Sequence, residues 1–241
     1  MLGPVGETPI DLRFSLFGVP VRVHPLFWLA GVLLGSNILS DPDIPGGRMR
    51  LAALLVWLAC LFTSILVHEM GHALFAKWFG WPPEVVLYHF GGLATYRPTR
   101  GYTTSRSILI SFAGPAAGFV LFGLVVVFGI AVMLNDLQVH LLVDFAFWQL
   151  IAINLVWGLV NLVPVLPLDG GRICEALCVH FRQYDGNLWA LRISIGAAAV
   201  VAIGFLALHQ LIGTGLFAPI MFGLLAFSNF QAYQAYRHGP W

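Results

Sequence analysis

From residue 51 to residue 80 the chain is almost unbroken apolar sequence, and His68-Glu69-Met70-Gly71-His72 is set into its second half. As one helix such a run is about 45 Å long, more than the ~30 Å hydrocarbon thickness of a bilayer. On that helix His68 and His72 project from one face a turn apart, with Glu69 beside them. Ionisable side chains at membrane depth are costly and need partners there. Two imidazoles one turn apart offer two ligands to a divalent metal. A soluble helical protein is excluded by composition. Of the 241 residues, 59% are hydrophobic and 10% charged, against about 25% charged in a soluble domain, so too little polar surface remains to cover the rest.

The whole pattern reads as an all-α polytopic membrane protein of about six transmembrane helices with short membrane-associated β-hairpins, in a single domain over 1–241. Residues 11–24 alternate around Gly18, which predicts an amphipathic hairpin. Spans are expected at about 26–39, 51–80, 108–134, 145–163, 189–208 and 216–230. A core at about 51–181 carries the chemistry-bearing residues, and further spans fill about 189–236. Between the second and third spans, apolar segments flank Gly91-Gly92 and predict another hairpin over 85–96. The fourth span breaks at Pro164 and Pro167. Asp169-Gly170-Gly171 follows, then a short helix to about 181. Internal repeats and low-complexity linkers are absent.

With the N-terminus in the cytoplasm, ten basic residues fall on inner segments and two, Arg48 and Arg50, on outer ones. The positive-inside rule then puts both termini of this cell-membrane protein in the cytoplasm. A net charge of +1 argues against nucleic acid as a partner; the lipid bilayer is the expected surrounding. Cys60, Cys174 and Cys178 imply no disulfide framework, and Cys174 and Cys178, one turn apart, read as small apolar residues. The first apolar stretch begins near Leu26 without a small-residue cleavage site, so no cleavable signal peptide is expected.

A catalytic zinc takes three protein ligands and leaves one position for water. His68 and His72 give two. From helical rise, His72 lies roughly 32 Å below the outer end of its span and roughly 12 Å from the inner end. Asp169 lies roughly 37 Å below the outer start of the fourth span, and the proline breaks leave slack to bring it level. Glu175 is on the following helix, and Asp136 and Asp144 are on the outer side, so Asp169 is the expected third ligand. Pro164 and Pro167 leave carbonyls unpaired, and irregular backbone at this depth must be buried or line a wet cavity. Asn161 is placed to satisfy one freed backbone group, and Gly170-Gly171 lets the chain turn close to the metal. Glu69, about 100° round the helix, reaches water at the metal as a general base.

These residues resemble the site-2 protease family of intramembrane zinc metalloproteases, peptidase family M50, in its compact form without PDZ or CBS domains. His68-Glu-Met-Gly-His72 looks like the first family motif and Asn161-x-x-Pro-x-x-Pro-Leu-Asp-Gly170 the second. Phe112-Ala-Gly-Pro115, the stretch 17–25 and Phe90-Gly-Gly-Leu-Ala94 are also similar to family elements. The resemblance implies one zinc per chain held by His68, His72 and Asp169, Glu69 as catalytic base, and cleavage of a membrane-spanning protein substrate in or near its transmembrane segment. Gly118 departs from the pattern, since many members carry Asn there. The 85–96 hairpin is either the candidate for substrate handling, because a helical substrate must unwind before attack and a sheet edge can hold it extended, or simply a plug of the cytoplasmic mouth. No residue pattern names an inhibitory or regulatory membrane partner.

His89, within that hairpin, is a candidate for the cavity wall. Asp136, His140 and Asp144, spaced by four, read as a solvated helix end. His24, His180, His209 and His238 fall at interfaces, where amphipathic rings settle without a catalytic role. The competing reading is a non-proteolytic membrane metal-binding protein or metal-ion transporter. Transporters also use broken helices, but usually with internal repeats.

Overall fold

The computed structural model describes residues 6–89, 91–98, 101–135, 138–212 and 215–238. Phe90, Arg100 and Asp136 lie outside the described residues. Strands β1 (Leu12–Leu16), β2 (Val19–Val23), β3 (Pro83–Tyr88) and β4 (Gly91–Tyr96) are combined with helices α1 (Pro25–Leu34), α2 (Gly46–Trp78), α3 (Thr104–Leu134), α4 (Leu141–Asn161), α5 (Asp169–Phe181), α6 (Gly186–Ile212) and α7 (Phe217–His238). The chain divides into two compact units, 1–101 with 113–158, and 102–112 with 159–241.

In the first unit the strands form one sheet in the order β1-β2-β3-β4. β1 and β2 are antiparallel. Phe17 and Gly18 turn between them, both at positive φ (49° and 67°), as a two-residue hairpin turn with right-handed strand twist requires. The Lys77 ammonium at the end of α2 donates to the Phe17 and Gly18 carbonyls at 2.8 and 3.2 Å, which holds the non-glycine residue there. β3 and β4 are also antiparallel. The two pairs are joined by parallel pairing of β2 with β3, Val21 opposite Val85 and Val23 opposite Leu87. A parallel pair needs a long crossover, and here α1 and α2 supply it. The strands are central where both faces are apolar: Val19, Val21, Val23, Val85 and Leu87 pack with Phe27, Leu61, Ile65, Met70 and Ala73 in one core.

α2, α3, α4 and α6 are long and apolar enough to cross a membrane. The first and last spans of the sequence reading fall on α1 and α7. α1 has ten residues, about 15 Å, and then tightens into a 3-10 turn at Ser36–Ser40. α7 has 22 residues, and its second half carries Asn229, Gln231, Gln234 and Arg237. α2 and α4 are pinned by a buried interhelical bond, Asn154 Nδ2 donating to Ser64 Oγ at 2.9 Å, one turn before His68. In the second unit Val165, Ala198 and Phe222 form a core among the segment after α4, α6 and α7.

Candidate metal centre

His68, Glu69 and His72 are buried on α2. The two imidazoles point their Nε2 atoms at each other, 3.2 Å apart, with ring planes at 80°. Two nitrogens bound tetrahedrally to zinc at ~2.0–2.1 Å are roughly 3.3 Å apart, so the spacing of these rings fits that ion. One ligand atom from each of His68, His72 and Asp169 lies within 4.8 Å of the others. Among the described residues this is the group of three or more His, Cys, Asp or Glu side chains that could hold a metal ion.

Glycines press the surrounding chain onto these side chains. A Cβ at Gly114 would fall on the His72 imidazole, and one at Gly71 on the Ala113 carbonyl. The Gly-Pro stretch of α3 thus packs against α2 at His72 without an intervening side chain. Gly118 needs no asparagine for a polar neighbour: Asn154 of α4 presents Oδ1 3.7 Å from where a Cβ at 118 would stand.

Glu69 is held from β4. The Ala94 N–H donates to Glu69 Oε2 at 2.8 Å, and a Cβ at Gly92 would collide with the same carboxylate. β4 borders only β3 in the sheet, so its second edge is the one that meets Glu69. The apolar segments flanking Gly91-Gly92 predict the hairpin's turn at those glycines; the structure corrects this, placing both inside β4, Gly91 opposite Tyr88 and Gly92 opposite Leu87, where Gly92 makes room for the carboxylate and Ala94 supplies its donor. A backbone donor leaves no mark on residue type, but a glycine two residues before it in an apolar strand was a visible sign of close approach.

After α4 ends at Asn161, residues 162–168 leave the helix and α5 starts at Asp169. Leu166–Pro167 is cis. The Leu166 N–H donates to Ser194 Oγ at 3.1 Å, and the Leu166 carbonyl accepts from Asn229 Nδ2 at 2.7 Å. Ser194 and Asn229 are themselves buried. They are the partners that the broken backbone needs, and sequence reasoning missed both. Neither stands alone in its helix, since Arg192 precedes Ser194 and Ser228 and Gln231 flank Asn229, so residue type carried no signal for them. A Cβ at Gly170 would strike the Leu162 carbonyl, and one at Gly171 the Val165–Leu166 backbone, so this turn admits only glycine at both positions. Pro164 and Pro167 are exposed and Asn161 is buried. His89 ends the β3 side of the second hairpin, its ring edge-on to Tyr88 at 4.8 Å, and is not one of the three metal-capable residues. On α5, burial pushes the Cys174 thiol up to about 11, with Cys178 adding to the shift, as befits an inert thiol.

Fold and side chains together define a polytopic membrane protein in which His68, His72 and Asp169 could hold a metal ion. The sequence profile of Peptidase family M50 matches residues 56–141 and 130–205. The candidate zinc metalloprotease sll0528 of Synechocystis sp. is 31% identical over 223 residues, covering 89% of this chain and 57% of its own length. The zinc metalloprotease MJ0392 of Methanocaldococcus jannaschii is 31% identical over 171 residues, covering 68% of this chain and 44% of its own. Stage IV sporulation protein FB of Bacillus subtilis is 26% identical, covering 90% and 67%. The solved site-2 protease from Methanocaldococcus jannaschii superposes with a TM-score of 0.60 at 23% identity, covering 92% of this chain and 94% of that one, which establishes the shared fold. The chain belongs to peptidase family M50, and its cofactor is zinc. It spans little more than half the length of the first of these relatives.

Proposed function

We propose that this protein is an intramembrane zinc metalloendopeptidase that hydrolyses peptide bonds in or near the transmembrane segments of membrane-bound proteins. The observation that carries this reading is the ligand-atom cluster of His68, His72 and Asp169, with Glu69 on the same helix as both histidines. These three residues would hold one zinc per chain, which when bound activates water and polarises the scissile carbonyl. Glu69 accepts a proton from the attacking water on its carboxylate and returns it to the leaving amine. The Ala94 amide, at 2.8 Å, fixes Glu69 Oε2, so one carboxylate oxygen is anchored while the other serves the proton. The Asn154–Ser64 bond and the Gly71 and Gly114 contacts set the rotation of α2 about its axis.

A substrate helix must unwind before its carbonyls can be attacked. The free edge of β4 offers backbone groups to an unwound strand, next to the general base. Six spans with both termini cytoplasmic agree with ten basic residues on inner segments against two on outer ones.

Glu69→Gln tests the reaction. The purified variant should retain zinc by metal analysis and lose cleavage of a single-span substrate by roughly 10²–10⁴-fold. Continued cleavage would remove Glu69 as the base. Replacing 85–96 with a flexible linker should abolish cleavage, and full turnover without the hairpin would sink its substrate role.

A further inference from the structure

The corner between α5 and α6 concentrates charge and aromatic surface that the chemistry above does not use. Its turn is tight. The Arg182 N–H donates to the Cys178 carbonyl and the Gly186 N–H to the Arg182 carbonyl, both at 2.8 Å. A side chain at Gly186 would run into the Cys178–Val179 backbone. On this frame the guanidinium groups of Arg182 and Arg192 lie 4.6 and 5.2 Å from the centre of one ring, that of Trp189. Asp185 accepts from Arg182 at 3.2 Å and from Trp189 Nε1 at 2.8 Å. Arg192 makes no ion pair among the described residues; it donates to Tyr233 Oη at 3.0 Å and lies over that ring at 5.4 Å. Of the two cations on one indole only Arg182 meets a carboxylate, and the pair keeps one excess positive charge in a fixed geometry.

The surroundings say what meets that charge. α6 begins at Gly186 and is long and apolar enough to cross a membrane, so its first turn stands at the boundary between hydrocarbon and water, where Trp, Tyr and Arg anchor. Phe181 and Tyr184, in the same corner, are 78% and 99% exposed. Bulky rings in that position suit the headgroup layer and are costly in open water.

We propose that this corner binds the phosphate of an anionic glycerophospholipid in the adjacent leaflet, with Arg182 and Arg192 bracketing the headgroup and Phe181 and Tyr184 seated among its neighbours. A zwitterionic lipid brings its own ammonium group and leaves the excess charge unmet. An acidic peptide offers the charge but nothing for the two exposed rings. The site matters to the rest of the chain through α5, which runs from Asp169 to Phe181: a lipid clamped at one end of that helix steadies the carboxylate at the other.

The test uses the full chain reconstituted in vesicles of dibrominated phosphatidylcholine with a rising share of dibrominated phosphatidylglycerol. Bromine quenches nearby tryptophan, and the difference between the native chain and Trp189→Phe isolates Trp189. One excess positive charge should favour the anionic lipid by roughly 5-fold at this position, and Arg182→Gln with Arg192→Gln should abolish the preference while zinc content is kept. Equal quenching by both lipids in the native chain overturns the proposal without any variant. A preference that survives in the double variant also overturns it, as does stronger protection of Trp189 by a soluble polyglutamate peptide than by the anionic lipid. Should the double variant lose zinc, Arg192→Gln alone gives the same reading.

Discussion

Two stretches supply, by opposite means, the side chains that could hold a metal ion. α2 is one continuous helix of 33 residues, and the relation of His68 to His72 is set by helical geometry alone: four residues, one turn, one face. Residues 162–168 have no repeating geometry. Asp169 is delivered by a backbone that has left its helix, with partners borrowed from residues 28 and 63 positions away from Leu166. A regular element carries its ligand geometry in local spacing. An irregular one carries it in distant side chains, so damage to it can begin far from the site.

The largest test of this contrast lies between the two, at the strand that holds Glu69. Ala94→Pro removes one N–H that points away from β3, and proline is tolerated on such an edge. Cleavage should fall by about 10–100-fold through kcat, the usual effect of losing a group that orients a site residue, with KM and zinc content little changed. A rise in KM alone would instead assign the amide to the substrate. Next, Ser194→Ala with Asn229→Leu should weaken zinc retention by about 10-fold, read by competition with a chelator. On α2, Asn154→Leu removes a polar contact of comparable distance and should cost only about 0.6 kcal/mol of stability, without loss of zinc. If the two variants release zinc equally, the distinction between a self-sufficient helix and a dependent turn fails.

The smallest effect is expected at the first hairpin. Asp11 is held below its ordinary value of 3.8 by the Thr8 hydroxyl, then by the Thr8 amide and Arg22, with Arg22 Nη1 at 3.0 Å. A depressed carboxylate stabilises the fold fully above its ordinary value and loses that contribution as the pH falls through its folded-state value. Thermal unfolding of the native chain should therefore weaken progressively on acidification below about pH 4, and Asp11→Asn should flatten that slope. An unchanged slope in the variant would remove Asp11 as its source.

The same contrast explains what could be read from residues alone. The spacing of His68, Glu69 and His72 was legible because a helix converts sequence separation directly into angle. Asp169 was legible by depth, because rise per residue constrains how far a span can carry a ligand. The first pair of strands followed from alternation about Gly18; the second pair was expected, but its turn lies before Gly91-Gly92, which belong to β4. The parallel joining of β2 to β3 was not, since nothing in either strand names a partner some sixty residues on. Ser194 and Asn229 were not legible because a polar residue in a helix, here with Arg192 or Ser228 and Gln231 close by, does not say which carbonyl or amide it serves. Ala94 could not have been found by type at all, as its contribution is a main-chain donor.

The β2–β3 ladder also dictates an order of assembly. β2 leaves the ribosome long before β3, with the whole of α2 between them, and a lone two-stranded ribbon is marginal in water. Glu69 therefore gains the Ala94 amide only after α2 and the second ribbon have both been made and β4 has come to α2. Until then a nascent chain carries both histidines but lacks the donor that holds the Glu69 carboxylate.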